Sequence, residues 1–345
     1  QVSTSPISYI LPWSVSSFGR ERSSIATTRT ILQQQDETSK YTVHHQMVLE
    51  TNLRHGRRHL IVGGEPVRPG QYPYYVSVNG ECGGSLIAPD VVLTAGHCQP
   101  RRTIARNYTH DLDYVRVGIV ARNPHHYDDD LVLAEETFTV LESKRHSRFK
   151  RYGDDEFKYD YSLIRLNGTA FHPTLALNRD EMLLNNADQV TVMGLGDTHP
   201  DYPSQSNWLR EVNLTVVPND ECEQVHGRGI SYEGRISKSH LCTFARHKDS
   251  CAWDSGSPII IRHAGKHLLV GMVSWGIGCA DDIFPAVNSR VSVALDWIDE
   301  TVCDWSANPP AEFGCEPTIS IGSFGTLPSP FLGKLDFVFL VILCA

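Results

Sequence analysis

The residues best placed to do chemistry lie between Lys248 and Pro258, a stretch reading Lys-Asp-Ser-Cys-Ala-Trp-Asp-Ser-Gly-Ser-Pro. A serine hydroxyl is a poor nucleophile at neutral pH, so it needs a base to take its proton and amide donors to hold the oxyanion that forms. Ser255 sits where both could be supplied. Gly256 leaves room for a substrate backbone, Asp254 sets a carboxylate beside it, and Pro258 opens an apolar run, Ile259 to Ile261, of the kind found in buried strands. Asp-Ser-Gly is also ordinary turn chemistry. Taken alone, the stretch fits a reactive serine and a plain turn before a strand about equally well.

Two earlier stretches break the tie. Leu93-Thr94-Ala95-Gly96-His97-Cys98 and Asp160-Tyr161-Ser162-Leu163-Ile164-Arg165-Leu166 precede it, and together the three resemble the trypsin-like branch of the trypsin/chymotrypsin-like serine proteases. That family's TAAHC, DIALL and GDSGGP motifs stand here, in the same order, as TAGHC, DYSLI and WDSGSP. Ile61-Val62-Gly63-Gly64 resembles the N-terminus made when such a zymogen is cut. The likeness runs from about Ile61 to Val302.

The resemblance implies a triad, with roles drawn from the family itself: Ser255 as nucleophile, His97 as general base and then acid, and Asp160 holding the imidazole in the right tautomer. Imidazole suits the task because its ordinary pKa lies near working pH. The plainer reading of His97 is a buried structural histidine beside a disulfide. Asp154, Asp155 and Glu156 compete with Asp160, but they sit in a charged run expected to face solvent. The oxyanion hole would be the backbone amides of Trp253 and Ser255. Where the family has glycine, Trp253 keeps the N–H but reaches positive φ only at a cost, and its indole could crowd the cleft mouth. Gly96 for alanine and Ser257 for glycine are milder departures.

The same resemblance places Asp249 at the floor of a primary pocket, which favours a substrate Arg or Lys, with Ser250 adding a hydrogen bond. Ser274-Trp275-Gly276 and Gly278-Cys279 would form the walls, and the backbones of Ser274 and Gly276 would pair with the substrate as an added strand. Ala286 and Asn288 stand where the family has glycine and tyrosine, and the extra methyl narrows the slot. Activation would pair the freed amine of Ile61 with Asp254, ordering pocket and oxyanion hole. Leu60 stands where the residue before the cut is usually basic. The expectation is therefore a cut after Leu60 by a protease of different specificity, or a cut after Arg58 followed by trimming of His59-Leu60.

Bringing together side chains so distant in sequence takes a rigid frame. From Ile61 onward, short apolar runs alternate with Gly, Pro, Asn and Asp. Tyr74 to Val78, Gly84 to Ile87, Val91 to Ala95, Tyr114 to Val117, Gln189 to Met193 and Glu211 to Val217 read as strands, as do Pro258 to Arg262 and His267 to Trp275, joined by a turn at Ala264-Gly265. Many short strands with little helix predict an all-β barrel or sandwich. The resemblance makes this two six-stranded antiparallel β-barrels with a C-terminal helix, split near Phe171 to Ala176, with the cleft between them. In the helix, Ala294, Trp297, Ile298 and Val302 share one face, expected to pack on the second barrel.

The chain has 345 residues, 41% hydrophobic and 21% charged, which suits a globular protein. Residues 1 to 60, rich in Ser, Thr, Gln and Arg, read as a disordered propeptide, residues 61 to 302 as the protease domain, and 303 to 345 as an extension. The apolar run Phe337 to Ala345 is too short to span a bilayer. It reads either as a truncated lipid-attachment signal or as a frayed end. The formal net charge of −9, with no basic block beyond Arg54 to Arg58, argues against nucleic-acid binding.

Nine cysteines without zinc-type spacing point to disulfides and an oxidising compartment. The resemblance pairs Cys82 with Cys98, Cys222 with Cys242, and Cys251 with Cys279. Cys303 and Cys315 are assigned a local fourth bridge, leaving Cys344 odd. Sequons at Asn107, Asn167 and Asn213 fit the same compartment. His125 to Asp130 lacks the spacing of a calcium loop, and Gly194-Leu195-Gly196 lacks the third glycine and the helix of a dinucleotide site. The expectation is a secreted, monomeric endopeptidase without metal or cofactor, acting on polypeptides with Arg or Lys at the cleavage site and open to protein protease inhibitors. The competing reading is a catalytically silent homologue that binds a partner, with Trp253 as its marker.

Overall fold

A computed structural model of the chain describes residues 61–99, 114–122, 135–152 and 157–316. The propeptide, the Asn107 sequon, the His125 to Asp130 loop, the acidic run Asp154 to Glu156 and the apolar tail with Cys344 lie outside the described residues.

A two-residue strand, β1 (Glu65–Pro66), precedes the first barrel. That barrel consists of β2 (Tyr75–Val78), β3 (Cys82–Ala88), β4 (Val91–Thr94), β5 (Tyr114–Val117), β6 (Glu136–Arg145) and β7 (Ser162–Leu166), closed in the order β2-β3-β4-β7-β6-β5. The short β8 (Ala176–Leu177) runs parallel to a strand of the second barrel. There β9 (Gln189–Gly194) and β10 (Arg210–Val217) pair with each other. Beyond a small β11 (His226–Gly227) and β12 (Ile230–Ser231) hairpin, β13 (His240–Phe244), β14 (Pro258–His263), β15 (Lys266–Trp275) and β16 (Ala286–Arg290) complete an antiparallel ring, β9-β10-β13-β16-β15-β14 and back to β9. The all-β double barrel is thus as expected.

Local chemistry explains these strands. In β10, Val212, Leu214 and Val216 turn inward while Asn213 is exposed, the period-two pattern of a half-buried strand. At the β14–β15 turn, Ala264 (φ 47°) and Gly265 (φ 76°) are consecutively left-handed, the geometry whose twist matches a tight hairpin. Cysteine pairs 82–98, 222–242, 251–279 and 303–315 are all bonded. The apolar cluster of the first barrel, including Val76, Leu86 and Ile164, continues without a break to Leu269 and Met272 of β15, so the seam between the barrels is a packed core.

Helices are few. The short α1 (Asn219–Glu223) carries Cys222, and α2 (Leu295–Trp305) closes the domain with Ile298, Thr301, Val302 and Trp305 buried. The expected docking of this last helix on the second barrel is corrected. Its polar anchors are on the first: Lys144 Nζ of β6 donates to Thr301 Oγ1 at 3.1 Å, and Asp90, between β3 and β4, accepts from Ser306 Oγ and from Ala307 N. Sequence periodicity finds the buried face but not what covers it. The start of the domain crosses the other way, for Ile61 is wholly buried among Val192, Val212, Leu214 and Ile259 of the second barrel, and β1 pairs with β10.

Candidate active site

Each candidate residue sits at a strand end on the seam. His97 lies in a single 3-10 turn, Gly96–Cys98, directly after β4, and the Cys82–Cys98 bridge ties that turn back to β3. Asp160 immediately precedes β7 and is fully buried. A buried carboxylate is tolerated only when its oxygens are satisfied, and these are. Oδ1 accepts from His97 N at 2.8 Å, while Oδ2 faces His97 Nδ1 at 2.7 Å and accepts from Ser274 Oγ at 2.6 Å. Ser289 Oγ donates to the Asp160 carbonyl at 3.1 Å, and Arg145 Nε donates to Gly96 O at 2.7 Å. The imidazole, 15% exposed, stands edge-on to Phe157 with ring centroids 5.4 Å apart. With Nδ1 occupied by the carboxylate, Nε2 is the nitrogen left for proton transfer.

The loop carrying Ser255 is tied to the first barrel across the seam, while Ser255 Oγ makes no hydrogen bond to His97 among the described residues. The Ser255 carbonyl accepts from Gly83 N of β3 at 2.8 Å, and Thr94 Oγ1 donates to Gly83 O at 2.7 Å, so the Ser255 loop leans on the strand that leads into His97. Gly256 (φ 79°) makes the approach possible, since a Cβ there would overlap Thr94 and Gly83. Ser257, the other departure from the family motif, is wholly buried and fits because Gly83 opposite it has no side chain.

Asp254 N donates to Cys251 O, Gly256 N to Val273 O and Ser257 N to Asp254 O, whereas neither Trp253 N nor Ser255 N donates to any group among the described residues. Two N–H groups on one short loop are therefore available to a developing oxyanion. Trp253 adopts φ 74°, the conformation that glycine takes at no cost, and its indole is 41% exposed rather than folded over the loop. The donor survives the substitution at the expense of backbone strain of about 1–3 kcal/mol.

Asp249 is buried, with its N donating to Val62 O at 3.0 Å and its Oδ2 accepting from Ala280 N at 2.9 Å; burial pushes its carboxyl up to about 7. Ser250 beside it is also buried. A Cβ on Gly276 would lie 3.9 Å from the Cα of Ala286, so these two candidate wall positions are close neighbours. Trp275 is gripped from one side by Tyr232, and Asn288 Nδ2 donates to Leu241 O and Thr243 Oγ1. Cys251–Cys279 joins the nucleophile loop to the wall segment.

Asp254 is fully buried with residues 1–60 still attached. Its oxygens accept from Gly196 N at 2.7 Å and Cys251 N at 3.0 Å, and burial pushes its carboxyl up to about 7. Ile61 makes no hydrogen bond to it among the described residues, although Val62 already contacts the pocket floor through Asp249. No group of three or more potential metal-ligating side chains occurs among the described residues. Sequence reading assigned Ser274 a backbone role only and did not anticipate its hydroxyl on Asp160, nor Ser289 and Phe157 around the same pair. No local pattern distinguishes a serine that supports a carboxylate more than a hundred residues away.

Comparison with known proteins agrees with this geometry. The family model described as Trypsin matches residues 61–298. The chain is 31% identical to glucanase inhibitor protein 2 of Phytophthora sojae over 71% of this chain and 80% of that protein. It is 31% identical to hypodermin-B of Hypoderma lineatum (70% and 86%) and 33% identical to trypsin iota of Drosophila melanogaster (67% and 82%). A double barrel with these motifs in this order, matched over more than two thirds of its length, belongs to the trypsin family of serine proteases.

Proposed function

We propose that the protein is a secreted serine endopeptidase, made as a zymogen, that hydrolyses peptide bonds after Arg or Lys through an acyl-enzyme. The observation that carries the reading is the loop at Ser255: two uncommitted amides survive there despite a tryptophan in the glycine position, opposite a fully hydrogen-bonded His97–Asp160 pair. His97 Nε2 would take the Ser255 proton as Oγ attacks the carbonyl carbon. Trp253 N and Ser255 N would hold the oxyanion, and the same proton would pass to the leaving amine. Water then repeats the sequence in reverse roles to free the acid. A scaffold that only binds a partner has no need of all three side chains and both amides.

The buried Asp249 supports preference for a cationic side chain, because a substrate guanidinium or ammonium relieves the cost of ionising a carboxylate in that pocket. Asp254 supports latency. Cleavage before Ile61 would create an ammonium whose natural partner is a buried carboxylate that, among the described residues, accepts hydrogen bonds from the backbone amides of Gly196 and Cys251. Covalent labelling with a sulfonyl fluoride or an organophosphate tests the proposal, on material whose mature N-terminus has been sequenced. Stoichiometric label on Ser255 in protein beginning at Ile61 is expected. Unlabelled protein with that N-terminus would instead favour the reading in which the fold serves as a binding protein, in line with a relative named an inhibitor.

A further inference from the structure

Half-buried Arg122, a few residues beyond β5, spends its guanidinium on two carbonyls from different parts of the fold. Nη1 donates to Gly80 O, between β2 and β3, at 2.7 Å, and Nη2 donates to Leu195 O, directly after β9, at 3.0 Å. Among the described residues no carboxylate forms an ion pair with it, and its buried Nε has no partner. The backbone behind it is fixed as well, since Arg122 N donates to Asn207 O at 2.8 Å and Ala121 pairs with Trp208. Withdrawing a cation from water without a paired anion costs stability, and what offsets that cost lies in the peptide to which the second carbonyl belongs.

Leu195 O and Gly196 N are the two ends of one peptide group. While Arg122 takes the oxygen, the N–H donates to Asp254 Oδ1 at 2.7 Å, and the next amide, Asp197 N, donates to Ala252 O at 2.8 Å. A cation on the carbonyl polarises the amide and strengthens the bond its N–H makes on the other side. A Cβ on Gly194 or Gly196 would overlap Asp254, so the Gly194-Leu195-Gly196 turn needs its glycines to lie against the Ser255 loop. Ala252 and Asp254 are the two neighbours of Trp253. A trans peptide directs its C=O and N–H to opposite sides, so fixing Ala252 O toward Asp197 turns Trp253 N away from it, and that amide is one of the two left uncommitted. Strained backbone persists only where its surroundings over-determine it. Here both flanks of the left-handed Trp253 are tied to Gly196 and Asp197.

We propose that Arg122 is a positioning residue for the oxyanion site: by anchoring the Leu195–Gly196 peptide, it keeps the Ala252–Trp253 peptide in the orientation that leaves Trp253 N–H available. The inference rests on the endopeptidase reading above. It assigns to an arginine that follows a strand of the first barrel a hold on the nucleophile loop of the second. That hold supplies the restraint which a tryptophan in a left-handed conformation requires and a glycine would not.

The test compares unmodified protein with Arg122→Lys and Arg122→Met, each activated at Ile61, using an Arg peptide substrate and two inhibitors. Benzamidine occupies the pocket alone. A peptide aldehyde ending in Arg also bonds its carbonyl carbon to Ser255 Oγ, which places the resulting oxygen at the two amides. Arg122→Met is expected to lower kcat and aldehyde affinity about thirtyfold each, with KM and benzamidine affinity changed less than about threefold. Arg122→Lys, able to reach one carbonyl, should fall between. Unchanged kcat and aldehyde affinity in Arg122→Met overturn the proposal, as does an equal loss of both inhibitors, the mark of a loosened domain. If Arg122→Met does not fold, Arg122→Lys decides alone: a larger loss for the aldehyde than for benzamidine supports the role, and equal changes overturn it. If unmodified protein cleaves no peptide and takes no aldehyde, the endopeptidase reading falls, and the hold on the loop is judged by hydrogen exchange. The Gly196 and Asp197 amides should then exchange at least about tenfold faster in the variants, with β10 unchanged. Unaltered exchange at Gly196 overturns the hold, and so does acceleration throughout the domain.

Discussion

The two sides of the cleft differ in how completely they are wired. On the His97 side, the Asp160 carboxylate takes three hydrogen bonds, and a serine and an arginine brace the chain around it. On the Ser255 side, two amides are unspent, two carboxylates are pushed up to about 7 by burial, and one residue is held in a left-handed conformation that its side chain disfavours. The first half is finished before any ligand arrives. On the proposed reading, the second would be completed by three charges: an ammonium at Ile61, a cation in the pocket and an oxyanion in the loop.

If that contrast is right, the largest loss should come from damaging the finished half. Asp160→Asn leaves the shape but turns His97 to the wrong tautomer, and kcat should fall about 10⁴-fold with KM little changed, in a steady-state assay of activated enzyme. Asp254→Asn should cost about 10²–10³-fold, because the new N-terminus would have no carboxylate to order the oxyanion loop. Equal activity before and after cleavage in either form would show that the second half was not waiting at all.

Acidity offers a finer probe. With Asp249 pushed up to about 7, an empty pocket holds a proton below that pH, and a benzamidinium cation must displace it. Binding should tighten about tenfold per pH unit between roughly pH 5 and 7 and then level off, with protons released on binding in calorimetry. The sign for stability is opposite. Carboxyls raised from 3.8 toward 7 make the folded, uncut chain hold protons that the unfolded chain gives up, so stability should decline as pH rises through that interval. The smallest effect belongs to Trp253→Gly, which relieves left-handed strain but frees the unfolded backbone, for a net gain of up to about 1 kcal/mol in thermal unfolding. A loss of stability would mean that the indole has contacts worth more than its strain.

The same contrast decides what could be read from the sequence. The strands that surfaced, such as β10 and β14, are those whose apolar alternation or apolar run is unbroken. Among the strands longer than two residues, those that did not were β6, which has much polar and half-exposed surface, and β13 and β16, whose polar residues are buried but satisfied. Asn288 and Ser289 in β16 look like loop residues until Leu241, Thr243 and Asp160 are beside them. Within the candidate site, local motifs singled out His97, Asp160, Ser255 and Asp249. The residues that hold Asp160 were invisible because long-range hydrogen bonds leave no periodic trace. Trp253 looked like damage on paper, and only its φ revealed that the backbone still follows the glycine path.

The crossing of the chain ends has a mechanical consequence. Ile61 is rooted in the second barrel and the closing helix is buckled onto the first, so each half wears a strap sewn from the far end of the polypeptide. A nick in the connector between Leu166 and Ala176 should therefore leave two fragments that co-purify and melt together. Neither barrel, expressed on its own, would carry the strap it needs to stay folded.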